Sequence, residues 1–160
     1  MPPLEIRQEC VCLVSDFFYP NIGGVEKHIL QLALRLQQRG FRVCIVTHSY
    51  GEEFVGEVLL PKGLEKGVRV HYIDRAVIAE QVALPLILPF FFTFRKVLIQ
   101  EGVSIVHAHQ SSSTMSHECI GIARALGYKT VLTEHSLYES PDFFSFDNLV
   151  NTFLRITLCH

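Results

Sequence analysis

Two histidines one residue apart, His107 and His109, are followed at once by Ser111, Ser112 and Ser113. A second polar group reads Thr133, Glu134, His135 and Ser136. A third is the pair Gly23-Gly24, behind a loop opened by Asp16, and a fourth is His48 with Ser49. Neutral imidazoles and hydroxyls each offer a donor and an acceptor, which suits the hydroxyls of a sugar or the oxygens of a phosphate. The i, i+2 spacing places the rings of His107 and His109 on one side of a strand. His109 stands further out and is the better pocket candidate. His107 has the plainer alternative of a core histidine bonded to backbone. Metal ligation by His107, His109 and His135 is chemically conceivable. No third ligand stands at HExxH spacing, and no metal site is expected.

Gly23-Gly24 precedes a helical pattern that begins near Val25. Glycine lets backbone approach a ligand closely. A helix N-terminus adds free N–H groups and positive dipole, the setting for a phosphate. The pair is not GxGxxG and no Walker lysine follows, so an ordinary strand-to-helix turn explains it equally well. Glu26 in the first turn favours the helix dipole.

The elements that must position these residues are short. Residues 10–15 (CVCLVS), 42–47, 69–73, 104–107 and 129–133 are β-branched apolar runs and read as five strands. Residues 25–39 place Val25, Ile29, Leu32, Ala33 and Leu36 on one helical face. Helices are also expected over 84–100, 112–126 and 147–159, with Gly40 and Gly127 as stops. Residues 49–67 read as loop with a short edge element. Strands alternating with helices imply a parallel sheet covered on both faces. The expected fold is therefore α/β, a Rossmann-like doubly wound parallel sheet. Ligands of such sheets bind beyond the carboxyl ends of the strands, where all four polar groups fall.

The chain has 160 residues, 49% hydrophobic and 19% charged, which excludes a disordered protein and permits a core without staples. A tail over 1–9 and one domain over 10–160 are expected. The formal charge of −2 gives no basic surface, so nucleic acid is not an expected partner. Five cysteines without CxxC spacing suggest neither a disulfide framework nor a zinc ribbon. They read as small core residues, and reduced thiols fit a cytosol-facing protein. The polar start is no signal peptide, and no apolar run reaches the length of a membrane span.

The stretch LPLILPFFFTFRK, residues 84–96, is apolar on nearly every side. Burial between the sheet and a partner domain is the favoured reading. The competing one is a membrane-surface contact, with Phe91 and Phe92 dipping in and Arg95 and Lys96 near lipid phosphates.

Four strings together carry a family pattern: VSDFFYPNIGGVE from Val14, RGFRVCIVTH from Arg39, IVHAHQSSSTMSHE from Ile105 and TVLTEHSLY from Thr130. This pattern resembles the N-terminal domain of the catalytic-subunit family of phosphatidylinositol N-acetylglucosaminyltransferases, within glycosyltransferase family 4. The resemblance implies one half of a GT-B enzyme, which moves N-acetylglucosamine from UDP-GlcNAc to phosphatidylinositol with retention. It implies no cofactor and no metal, UDP-GlcNAc being a substrate. By matching motifs it implies donor-phosphate binding at Gly23 and Gly24, and a catalytic histidine at His135. It also implies acceptor contacts at Asp16, His109, Ser111, Ser112 and Thr133. The implied setting is the cytoplasmic face of the endoplasmic reticulum membrane, with other subunits of a transferase complex as partners. The family's C-terminal donor domain and its glutamate pair have no counterpart within these residues. The chain is therefore expected to be a fragment, inactive alone. Two other readings are a non-catalytic lipid- or subunit-binding module, and a family 4 sugar transferase with a different acceptor.

Overall fold

The computed structural model describes residues 8–51, 54–59, 67–79, 82–83 and 87–135. The expected helix over 147–159 lies outside the described residues. The strands are β1 (Cys10–Val14), β2 (Arg42–His48), β3 (Gly56–Leu59), β4 (Arg69–Ile73), β5 (Val77–Ala79), β6 (Val82–Ala83), β7 (Ile105–His109) and β8 (Lys129–Thr133). The helices are α1 (Gly24–Gln38), α2 (Ile87–Glu101) and α3 (Thr114–Ala125).

Six strands form one sheet in the order β3-β4-β2-β1-β7-β8. β4, β2, β1, β7 and β8 run parallel, and β3 is the antiparallel edge. β5 and β6 pair as a separate ribbon, which the sequence pattern had not announced. The order reverses beside β1: the chain first winds outward through β2 and β4, then returns to place β7 on β1's other side. That is the topological switch point, and the carboxyl ends of β1 and β7 form its crevice.

Alternation along the strands builds two cores. Val11, Leu13, Val43, Ile45 and Val70 point to one face and are covered by Ile29 and Ala33 of α1. Cys10, Cys12, Val14, Cys44 and Val46 point to the other, under Phe90, Phe94 and Leu98 of α2 and Met115 and Cys119 of α3. Four cysteines are buried free thiols, the core role expected of them. The Cys44 thiol beside it, then burial, push Cys10 well above the ordinary thiol range. Gly40 and Gly127 leave α1 and α3 with φ of +88° and +82°, the left-handed exit glycine takes without a Cβ penalty.

Two boundaries and the burial of one helix differ from the sequence reading. β7 runs through His109 instead of ending at His107, because Ile105 to His109 pair in register with Lys129 to Thr133. α3 begins at Thr114, with Ser113 as its N-cap accepting from the Ser116 N–H. α2 is one-sided: Phe90, Phe94, Val97 and Leu98 are buried, while Phe92 and Ile99 are 71% and 56% exposed.

Candidate functional site at the carboxyl edge of the sheet

Two helix N-termini meet this edge. At α3, the Asp16 carboxylate is fully buried. Its Oδ2 accepts from Ser113 Oγ at 3.0 Å, Met115 N at 3.2 Å and Thr114 Oγ1 at 3.4 Å. The Asp16 N–H donates back to Ser113 Oγ at 3.0 Å, and Tyr50 OH donates to the Asp16 carbonyl at 2.6 Å. Desolvation raises the Asp16 pKa, against the bonds to Met115 and Ser113, which stabilise the anion. Asp16, expected to contact an acceptor, is thus occupied in fixing the loop after β1 to α3.

At α1 the arrangement is reversed. Gly23 is the N-cap in extended conformation and supplies no side-chain cap. The Glu26 carboxylate folds back over this end, so that a Cβ on Gly23 would lie 2.5 Å from its Oε2. A Cβ on Gly24 would meet nothing within 4 Å. Gly24 is exposed and opens onto free space, with helix N–H groups behind it.

Imidazoles stand beside that opening. His28 lies one helical turn above Gly24, on the same side of α1. Its ring centroid is 4.7 Å from that of His135 and 5.6 Å from that of His109. His109 stacks on His107 at 4.3 Å and on His135 at 5.4 Å. His109 Nδ1 and His135 Nε2 share a proton contact at 3.1 Å. His107 Nε2 is 2.7 Å from Thr133 Oγ1, so two of the predicted residues hold each other.

The i, i+2 reading of His107 and His109 holds, but their depths are exchanged. His109 is fully buried because β7 continues through it and Ser116 Oγ donates to its carbonyl at 2.8 Å. His107 is only half-buried. Burial first, then neighbouring rings, holds His109 at about 3. Burial first, then His28, also lowers His107 and His135. These rings are neutral near pH 7 and serve as donors and acceptors without charge.

Gln110 follows with φ of +71°, a left-handed turn that takes the chain off the strand. Ser111 and Ser112 lie in that turn, half-buried. The Ser111 and His135 amides both donate to the Glu134 carboxylate at 2.9 Å, which clamps the turn after β7 to the end of β8. His48, by contrast, turns inward: it is buried, its Nδ1 is 2.8 Å from the Ser49 carbonyl, and its ring packs on Tyr50.

His28 is the site residue that sequence reading missed, and the clamp made by Glu134 was missed with it, whereas Glu26 stands in the first turn of α1 as expected. The helical offset of four between Gly24 and His28 was the available signal. Two groups have metal-ligand geometry among the described residues: His28, His109 and His135, and Glu57, His71 and Glu101. The second lies toward the amino end of the sheet and already carries a cation. Glu101 Oε1 binds Arg69 Nη1 at 2.8 Å and His71 Nε2 at 2.9 Å, and Arg69 also pairs with Glu57.

Solved structures share this fold. Sucrose-phosphate synthase from Thermosynechococcus elongatus superposes with a TM-score of 0.60 at 14% identity, over 92% of this chain and 40% of that one. A glycosyltransferase from Rickettsia africae gives 0.52 at 16% identity, over 93% and 39%. The class is therefore one Rossmann-like domain of the GT-B glycosyltransferase architecture. The family model described as PIGA (GPI anchor biosynthesis) matches residues 58–142, and the chain belongs to that family. A phosphatidylinositol N-acetylglucosaminyltransferase subunit of Homo sapiens is 39% identical over 96% of this chain and 30% of its own length. The gpi3 subunit of the same transferase in Schizosaccharomyces pombe is 38% identical over 91% of this chain and 30% of its own length. The chain thus spans about 30% of the length of these curated relatives.

Proposed function

We propose that this chain forms the acceptor-side domain of a retaining transferase that moves N-acetylglucosamine from UDP-GlcNAc to phosphatidylinositol, the first step of GPI-anchor synthesis. The observation that carries the reading is the uncapped, glycine-led N-terminus of α1 facing the neutral imidazoles at the switch point. That arrangement occurs in a chain 38–39% identical to transferase subunits over more than nine-tenths of its length.

In this reading the donor diphosphate meets the amides of Gly23 and Gly24, where the helix end offsets the charge of the leaving group. Glu26 swings aside to admit it. The transfer needs no metal ion and no cofactor. His135 bonds the transferred sugar, and His109 supports it from below. Ser111, Ser112 and Thr133 line the side that takes the inositol headgroup. The outer face of α2 rests on the lipid surface, with Phe92 in the headgroup layer and Arg95 and Lys96 toward lipid phosphates. Phe91, half-buried against the core, supports that face from within. The domain works with other subunits at the cytoplasmic face of the endoplasmic reticulum.

A chimera tests the reading. The corresponding segment of the Schizosaccharomyces pombe gpi3 subunit is replaced by this chain, and labelled GlcNAc transfer to phosphatidylinositol is followed in membranes. Transfer is expected, with loss of about a hundredfold or more on His135→Ala. A chimera that accumulates normally and transfers nothing would sink the proposal. Phe92→Ser is expected to leave stability within about 0.5 kcal/mol, since the ring is exposed. It should weaken binding of the chain to phosphatidylinositol vesicles. Unchanged vesicle binding would remove α2 from the membrane contact.

A further inference from the structure

We infer that His28, His109 and His135 form a binding site for one divalent transition-metal ion of the zinc class, open at its fourth position. The site shares His109 and His135 with the transfer site proposed above but takes no step in the transfer, and it stands on the geometry of the three rings themselves. Each ring offers one nitrogen, and these three atoms lie within 4.8 Å of one another. His109 Nδ1 and His135 Nε2 are already 3.1 Å apart. Tetrahedral nitrogens around zinc are separated by about 3.3 Å, given Zn–N bonds of about 2.0–2.1 Å. Binding therefore replaces the proton between these two rings with the ion. His28 is exposed and closes the remaining gap by turning its side chain.

The donor set selects the metal. Three imidazoles without a carboxylate favour zinc, cobalt, nickel or copper over magnesium and calcium, which require oxygen. The Glu134 carboxylate, the near anion, is engaged by the amides of Ser111 and His135. The rings are held in place: His107 stacks on His109 and is bonded to Thr133, while the His135 backbone N–H donates to Glu134. Three protein ligands with one side toward solvent is the pattern of an open zinc site. The other three-residue group, Glu57, His71 and Glu101, differs because Arg69 already occupies its carboxylates.

An ion held here stands beside Gly24 and blocks the space above the α1 terminus. Its expected effect on any anionic ligand of that terminus is competition at the imidazoles.

The test uses the 160-residue chain, stripped of metal by a chelator and titrated with Co²⁺. One equivalent is expected, with the visible bands of low-coordinate nitrogen ligation and no thiolate charge-transfer band. Zn²⁺ should displace it and Mg²⁺ should not. His28→Ala and His135→Ala, the exposed and half-buried ligands, should each weaken binding about tenfold or more, with unchanged far-UV circular dichroism. Glu57→Gln should leave it unaltered. Absence of saturable binding overturns the inference, as do thiolate bands or binding that survives both histidine substitutions.

Discussion

The N-termini of α1 and α3 point to the same edge of the same sheet, yet they have opposite fates. α3 is closed by its own chain, through the Ser113 cap and the buried Asp16 carboxylate. α1 has glycine where a cap would be, and space where the Gly24 side chain would be. A helix end satisfied internally holds structure, whereas one left open at a switch point is available to a ligand. The imidazoles gather on the open side, and the fully buried Asp16 carboxylate lies on the closed side.

The largest effect expected from this asymmetry is a pH dependence. Between pH 6.5 and about 3 the unfolded chain protonates the His109 imidazole while the folded chain does not. Stability present above pH 6.5 is therefore lost as pH falls toward 3, by about 1.4 kcal/mol for each pH unit. His107 and His135, also lowered, act in the same direction. Asp16, raised, acts oppositely just above pH 3.8. Urea unfolding midpoints across this range measure the sum, and His109→Asn isolates its largest part. A His109→Asn chain with the same pH slope as the parent would show that the ring is not held neutral.

Asp16→Ala comes next. It strands the Met115 amide and the Ser113 hydroxyl in the core, at a cost of about 3 kcal/mol. Denaturant unfolding at pH 7 reads it. A loss below about 1 kcal/mol would mean that α3 is no more closed than α1.

The smallest effect has the opposite sign and sharpens the comparison most. Gly24→Ala meets no atom in the structure and removes freedom from the unfolded chain, so it should stabilise by about 0.4–1 kcal/mol. In the chimera the proposed diphosphate site at Gly24 would carry that same methyl group, and transfer should fall. A gain in stability with full activity would detach the α1 terminus from donor binding.

Much of the fold was legible because its signals are local. β-branched runs marked β1, β2, β4, β7 and β8, and Gly40 and Gly127 ended α1 and α3 as expected. The parallel character of the sheet followed from the alternation of strand and helix. The site was legible only as far as strand ends, which put Gly23, His109, Ser111 and His135 at one edge. The depth of His109 was not, since it depends on β8 pairing alongside and α1 covering from another part of the chain. The Asp16 link escaped for the same reason: its partner Met115 is 99 residues away. In α2 the run of phenylalanines hid the face, because period cannot be read where nearly every residue is apolar. Contacts separate Phe90 and Phe94 from Phe92.

The central place of β1 also sets an order of events in time. Its partner β2 is near in sequence and can join early, as a βαβ unit with α1. Its other partner, β7, arrives only after a loop of roughly ninety residues has closed, as in the Cys10–Ser104 bond across 94 positions. Non-local closure of this kind slows folding. The imidazole platform beside the open end of α1 therefore depends on this non-local closure. Recovery of a ligand contact that spans His28 and His135 would time the last step by which the chain becomes native.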